Sequence, residues 1–355
     1  MSGNHQRVPE PRPGLRGVEP YQAPQLDVPV RLNTNECPYP LPPAFVEDLA
    51  AYLRDVKLHR YPDREARELR RRLAERLGVD PEGLWVAGGS NEILQQVLLA
   101  HGGPGRRALL FEPTYAMYPR IAWVTHTEVG RIDVVPPFVL GPDHVRGAVA
   151  AGAEITFVCS PNNPTGNAQP LEVIEELAGV LPGLVLVDEA YVEFGGKSAA
   201  GLVESCPNLV VVRTFSKAFA LAGARLGYCV AAPQVVEDLR RVRLPYHVSA
   251  LTQAAGLAAL GHADDAMAIL DAVRRERDRI LEALGQLEGV EVFPSDANFV
   301  LFRPRRPVDE VWQGLLDRGV LVRDLSDVVP GCLRVTAGTP EEVDAFLAAM
   351  DEVAR

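Results

Sequence analysis

Lys217 stands in "TFSKAFALAGARLGY" (214–228), with Thr214 and Ser216 before it, Arg225 after it, and small or apolar residues elsewhere. A lysine in a low-dielectric setting loses basicity and becomes a nucleophilic amine; its usual carbonyl partner is an aldehyde, giving a Schiff base. The two hydroxyls and the guanidinium beside it suit a phosphate. Asp188 ends the apolar run "LVLVDEAY" (184–191). A carboxylate there is costly unless a cation or an N–H faces it, and it could hold a pyridinium nitrogen, as aspartate does in sites for pyridoxal phosphate. "GGSNEILQQVL" (88–98) opens a helix with Gly88, Gly89, Ser90 and Asn91. Small residues there let backbone N–H groups reach an anion, although an ordinary helix cap explains the same residues. Tyr115 in "EPTYAMY" (112–118) and Asn162 or Asn163 in "SPNNPTG" (160–166) also end apolar runs. Each alone has a bland explanation as a surface lysine, rim aromatic, turn asparagine or cap. Their shared strand-end position makes those explanations poor.

Six short apolar runs carry these residues: "GLWVAGGS", "RALLFEPTY", "EITFVCSPNNPTG", "LVLVDEAY", "LVVVRTFSK" and "RLGYCVAA". Continuous apolarity and β-branched residues suit strands covered on both faces. Helix-like segments such as "PLEVIEELAGVL" lie between some of them, which predicts an α/β domain with a mostly parallel sheet. Ligands then gather at the carboxyl ends of the strands. Residues 64–78 have the spacing of an amphipathic helix. Near Leu251 the pattern changes to a long helical stretch followed by shorter strands and helices, a smaller α+β domain. The expected division is a flexible arm over 1–17, a segment over 18–48 that contributes to the small domain and to dimer contacts, a large domain over 49–250, and a small domain over 251–355.

A chain of 355 residues suits two domains. Its 47% hydrophobic content describes a globular protein, and a net charge of −11 argues against general nucleic-acid binding. No apolar run reaches membrane-spanning length, and the first residues lack the apolar core of a signal peptide. The cytoplasm is the default location. Five cysteines without a CxxC pair and seven scattered histidines suggest neither a disulfide framework nor a metal site.

Together "SPNNPTG", "DEAY" and "TFSKAFALAGARLG" resemble the fold-type I pyridoxal-phosphate-dependent aminotransferases in order and spacing, over nearly the whole chain after about residue 18. A narrower resemblance, to the histidinol-phosphate aminotransferases, rests on "EPYQ" (19–22), "RLNTNECP" (31–38), "RYPD" (60–63), "GVLVRDL" (319–325) and "LRVTAGTPEE" (333–342). The resemblance implies a large domain with a mostly parallel seven-stranded sheet and a smaller α+β domain. It implies that Lys217 bonds the cofactor aldehyde and later moves a proton, and that Asp188 pairs with the pyridinium nitrogen. Asn163 and Tyr191 would bind the ring oxygen, and Tyr115 would stack on the ring. Ser90, Asn91, Thr214, Ser216 and Arg225 would hold the phosphate, joined by Tyr61 from the other subunit of a homodimer. Arg334 would clamp the substrate's acidic group and Arg323 would add a second guanidinium for a phosphate. Asn35 lies in the substrate-side loop, and Tyr21 would close over the imidazole.

The implied reaction moves an amino group from L-histidinol phosphate to 2-oxoglutarate, giving imidazole acetol phosphate and glutamate by a ping-pong mechanism. Two motifs depart from the family pattern: "AGGS" (87–90) replaces the usual "GNGS", and "NECP" (35–38) replaces "NENP" through Cys37. An aromatic amino-acid aminotransferase and a threonine-phosphate decarboxylase use the same scaffold. A non-catalytic protein of this fold has no need of Lys217, and a nicotinamide dehydrogenase would need a GxGxxG fingerprint that follows no strand here.

Overall fold

The computed structural model describes residues 10, 20 and 24–354. Its strands are β1 (Val30–Arg31), β2 (Leu84–Ala87), β3 (Arg107–Glu112), β4 (Glu128–Asp133), β5 (Ile155–Cys159), β6 (Leu184–Asp188), β7 (Leu209–Thr214), β8 (Gly227–Ala231), β9 (Val290–Val292), β10 (Phe299–Pro304), β11 (Val320–Leu321), β12 (Arg323–Asp324) and β13 (Leu333–Thr336). Helices α1 (Pro43–Asp55), α2 (Arg67–Leu77), α3 (Ser90–His101), α4 (Met117–Val124), α5 (Pro142–Ala151) and α6 (Leu171–Val180) are followed by α7 (Pro233–Val242), α8 (Ala250–Gly261), α9 (Ala263–Gln286), α10 (Val308–Asp317) and α11 (Pro340–Ala354).

Strands β2 to β8 form one sheet of seven, in the order β2-β8-β7-β6-β5-β3-β4. Its neighbours are parallel except β8, which runs antiparallel to β7 and β2. The six apolar runs are β2, β3, β5, β6, β7 and β8. Every residue of β5 and β8 is buried, as strands covered on both faces must be. Val210 and Val212 pack into one apolar cluster with Leu94 and Tyr118, whereas Val211 packs into another with Ile174 and Leu177. Successive side chains of β7 thus feed opposite layers. The seventh strand, β4, reads "EVGRID" at the sheet edge and is mostly exposed, so it shows no apolar run.

The second sheet is antiparallel, in the order β12-β13-β10-β9. Strand β1 comes from the N-terminal segment and pairs in parallel with β11, so that segment joins the C-terminal layer. Val30 follows Gly319 in this pairing, and Leu32 closes it with an N–H to the Leu321 carbonyl (2.8 Å). α9 is a 24-residue helix carrying an apolar stripe of Ala266, Leu270, Val273, Ile280 and Leu284. That stripe shares one buried cluster with Phe299, Phe302 and Phe346, which seats the antiparallel sheet on the helix.

Candidate active site

The carboxyl ends of β5, β6 and β7 open into a cavity of about 410 Å³. Ser90, Asn91, Tyr115, Asn163, Asp188, Tyr191, Thr214, Ser216, Lys217 and Arg225 line it from the large sheet's side; Asn35, Arg323 and Arg334 line it from the opposite side. Two residues named from sequence are not in its wall. Tyr61 is 79% exposed and stacks on Tyr246 with ring centroids 4.3 Å apart. Tyr21 lies outside the described residues.

One end of the cavity is built for a phosphate. Gly89, with φ of 99°, turns the chain into α3, so the first N–H groups of that helix have no partner within it. Neither Ser90 nor Asn91 is the cap; Gly89 is. The turn packs tightly: a Cβ on Gly89 would sit 2.7 Å from Arg225 Nη2, and one on Gly227 would sit 2.4 Å from the Ser90 nitrogen. Thr214 Oγ1 donates to Ser216 Oγ (3.0 Å) and accepts the Ser216 N–H (3.1 Å); Arg225 Nη1 reaches Ser216 Oγ at 3.4 Å. The buried Oδ1 of Asn91 has no hydrogen-bond partner among the described residues.

Lys217 Nζ donates to the backbone carbonyls of Asn35 (2.8 Å) and Thr34 (3.1 Å). Burial pushes this amine down to about 8; the Arg334 and Arg225 charges act in the same direction and Glu36 opposes them. Asp188 lies at the end of β6 beside Cys159 of β5 and is 3% exposed. Its carboxylate accepts the Ala190 N–H (3.1 Å) and the Tyr118 hydroxyl (2.8 Å). No ion pair to it forms among the described residues, and burial pushes it up to about 6 against those two hydrogen bonds. Of the two partners anticipated from sequence, a cation or an N–H, the described residues supply the N–H, from Ala190; a pyridinium would add the cation.

Asn163 and Tyr191 offer donors to the same space. Arg334 donates through Nη1 to Asn163 Oδ1, which leaves the Asn163 NH₂ turned elsewhere. Asn35 Nδ2 donates to the Tyr191 hydroxyl oxygen (3.0 Å), so that hydroxyl keeps its own proton to give. Arg334 is fixed further by Nη2 on the Asn33 carbonyl (3.0 Å) and by lying over the Phe299 ring at 5.0 Å. Arg323 and Arg334 are direct partners in the β12–β13 ladder. Directly opposed residues share one face of a sheet, so both guanidiniums start from that face.

Sequence reasoning passed over several residues. Tyr118 was in view within "EPTYAMY", three positions from Tyr115, but nothing in its spacing ties it to Asp188. Glu189 is buried and accepts from Arg213 Nε (2.9 Å), Ser198 Oγ (2.8 Å) and the Ala199 N–H, which pins the turn after β6 to β7. The carbonyls of Thr34 and Asn35 have no sequence signal at all, because any residue supplies a carbonyl. Among the described residues no cluster of His, Cys, Asp or Glu could hold a metal ion.

Residues 28–350 match the family model described as aminotransferase class I and II. The chain belongs to this family. A protein of Frankia casuarinae named histidinol-phosphate aminotransferase is 51% identical, over 96% of this chain and 89% of that protein. One of the same name from Thermobifida fusca is also 51% identical, over 96% and 94%. The crystal structure of the Sinorhizobium meliloti histidinol-phosphate aminotransferase, in complex with pyridoxal-5'-phosphate, superposes with a TM-score of 0.87 over 99% of both chains. At 24% identity that likeness shows a shared fold, the fold-type I architecture. Pyridoxal phosphate is the cofactor of this aminotransferase family, and the cavity fits it. The α3 turn and Arg225 suit its phosphate, the buried Asp188, hydrogen-bonded but without an ion pair among the described residues, its ring nitrogen, and the depressed amine of Lys217 its aldehyde.

Proposed function

We propose that this aminotransferase takes the amino group of L-histidinol phosphate and passes it to 2-oxoglutarate, in the ping-pong reaction of histidine biosynthesis that yields imidazole acetol phosphate and glutamate. The observation that carries the reading is the opposed pair Arg323 and Arg334, which lines the cavity from the antiparallel sheet. Histidinol phosphate presents a phosphate where common amino acids present a carboxylate, and two guanidiniums match its larger charge and acceptor count. The names of the relatives at 51% identity support the same substrate.

Pyridoxal phosphate, when bound, supplies an aldehyde for the amino group and a ring that accepts electron density from the substrate carbon. Asp188 would face the ring nitrogen and favour its protonated form. Lys217 would be the amine facing the aldehyde and the group positioned to move a proton. An amine that titrates near 8 is suited to both tasks at neutral pH. Asn163 and Tyr191 would donate to the ring oxygen, and Tyr115 would cover the ring. Ser90, Asn91, Thr214, Ser216 and Arg225 grip the phosphate. Asn35 orients Tyr191 and, through its carbonyl, the Lys217 amine.

A homodimer with shared sites belongs to the same reading, with Tyr61 reaching the partner's cofactor phosphate. It is supported by the exposure of Tyr61 and of Leu58 (75%) and Leu244 (76%), which lie near Tyr61 and Tyr246 in sequence. Bare apolar groups of that size mark an interface more often than a free surface. Cytoplasmic residence is included as well, supported by five free thiols. The N-terminal arm with Tyr21 would close over the imidazole, and the chain would divide into an arm over 1–17, a segment over 18–48, a large domain over 49–250 and a small domain over 251–355. A half-reaction panel tests the substrate: the cofactor-loaded protein is mixed with histidinol phosphate, phenylalanine, glutamate or threonine phosphate while the cofactor absorbance is followed. Conversion by histidinol phosphate and glutamate is expected. Preference for phenylalanine, or loss of carbon dioxide from threonine phosphate, overturns the reading.

A further inference from the structure

The hydroxyl of Tyr118 is the side-chain donor to Asp188, at 2.8 Å from Oδ2. Tyr118 is the second residue of α4, is 1% exposed, and is held on three sides. Its N–H donates to the Tyr115 carbonyl (3.0 Å), its ring meets Tyr115 edge to face (5.4 Å, 86°), and it lies against Phe157 (4.9 Å). One residue thus touches both the carboxylate that would face the ring nitrogen and the aromatic that would cover the ring. We propose that Tyr118 is a positioning residue, whose hydroxyl keeps Asp188 ionised and aimed at the ring nitrogen while its ring sets the tilt of Tyr115. The proposal rests on the reading of Asp188 given above.

The choice of tyrosine has a physical reason. A lysine or arginine at this place would pair with Asp188 and compete with the pyridinium for its charge. A neutral phenol favours the carboxylate over the carboxylic acid, yet leaves the whole negative charge for the cofactor. Burial and the Asp188 charge raise the phenol far above its ordinary value, so it remains a donor. The other groups facing Asp188 do not substitute for it. The Cys159 thiol of β5 is pushed up to about 12 by burial and stays neutral. Glu189, next to Asp188, raises it and is itself paired with Arg213.

The test measures binding of pyridoxamine 5′-phosphate to the cofactor-free protein by calorimetry between pH 5.5 and 8.5. This ligand has no aldehyde, so Lys217 forms no bond to it, and its own titrations are common to all variants. In the wild type, affinity should fall as pH drops through about 6, where Asp188 takes up a proton. Tyr118→Phe removes a stabilising bond from the ionised form, so Asp188 rises further and the fall begins at higher pH. The expected shift is about one pH unit upward, which weakens binding by only about twofold near pH 7 but by nearly tenfold at pH 5.5, below both midpoints. In an Asp188→Asn background the same substitution should change affinity by less than about twofold, because the hydroxyl acts through the carboxylate. Site-specific 3-fluorotyrosine at 118, a more acidic phenol of nearly the same shape, should move the midpoint downward and serves if the phenylalanine variant does not fold. An unmoved midpoint in either variant, or an equal loss with and without Asp188, overturns the proposal. If Asp188→Asn alone leaves affinity and its pH profile unchanged, the assignment of Asp188 falls first and that of Tyr118 with it.

Discussion

Removing Arg323 should separate phosphate-bearing from carboxylate-bearing donors. Arg323 and Arg334 oppose each other across β12 and β13, so their Cβ atoms are about 5 Å apart and two positive groups share one face. Arg334 is buried and anchored to Asn163 and to the Asn33 carbonyl, so its guanidinium is already in place for a carboxylate. Arg323 is half-buried and lines the cavity. A phosphate monoester carries up to two charges and one more terminal oxygen than a carboxylate, and that surplus falls to Arg323. A hydrogen bond to a charged group contributes about 1.5–3 kcal/mol, so Arg323→Ala should lower kcat/KM for histidinol phosphate by roughly ten- to a hundredfold. Glutamate should lose much less, and the loss of a like charge could even offset part of it. Steady-state rates with both donors, in wild type and variant, give the ratio directly. Equal losses for the two donors, or a greater loss for glutamate, would refute the division of labour.

Three further outcomes follow from the site. Attachment of pyridoxal phosphate to Lys217, trapped by borohydride and read by mass spectrometry, should accelerate as pH rises through about 8, where the amine loses its proton; a midpoint near the ordinary lysine value of about 10.4 would mean the cavity does not depress it. Asp188→Asn should retain cofactor through the phosphate contacts but lose turnover by an amount corresponding to about 3–5 kcal/mol, the usual cost of breaking a buried ion pair; near-normal rates would reduce Asp188 to a structural role. Mixing inactive Lys217→Ala with inactive Tyr61→Phe should restore activity through hybrid dimers with one intact site, whereas a fully active Tyr61→Phe protein refutes the cross-subunit role.

Most of the cavity was legible because its residues sit where apolar strands stop. Asp188, Thr214 and Asn163 all follow continuous apolar runs, and the parallel sheet makes those ends coincide in space. Strand β4 was not legible, since an exposed edge strand can be polar and still pair through its backbone. The partner of Asp188 was not legible either. Burial demanded some donor, but composition could not say that it would be a phenol from the next helix. The role of Asn35 came from resemblance alone; its physical basis is a positive φ of 55° and a side chain shared between Tyr191 and Thr336.

The pairing of β1 with β11 also dictates when the site can exist during synthesis. Asn35 bonds through its N–H to Thr336 Oγ1, 301 residues further along the chain. At ribosomal rates of 5–20 residues per second, the first of these partners waits about 15–60 s for the second. The large sheet, complete by residue 231, can fold within that interval. The loop that holds the Lys217 amine cannot settle until β11 and β13 have left the ribosome. A nascent chain therefore has its phosphate cradle long before it has a finished cavity, and only a chain that has grown past β13 can hold cofactor and substrate together.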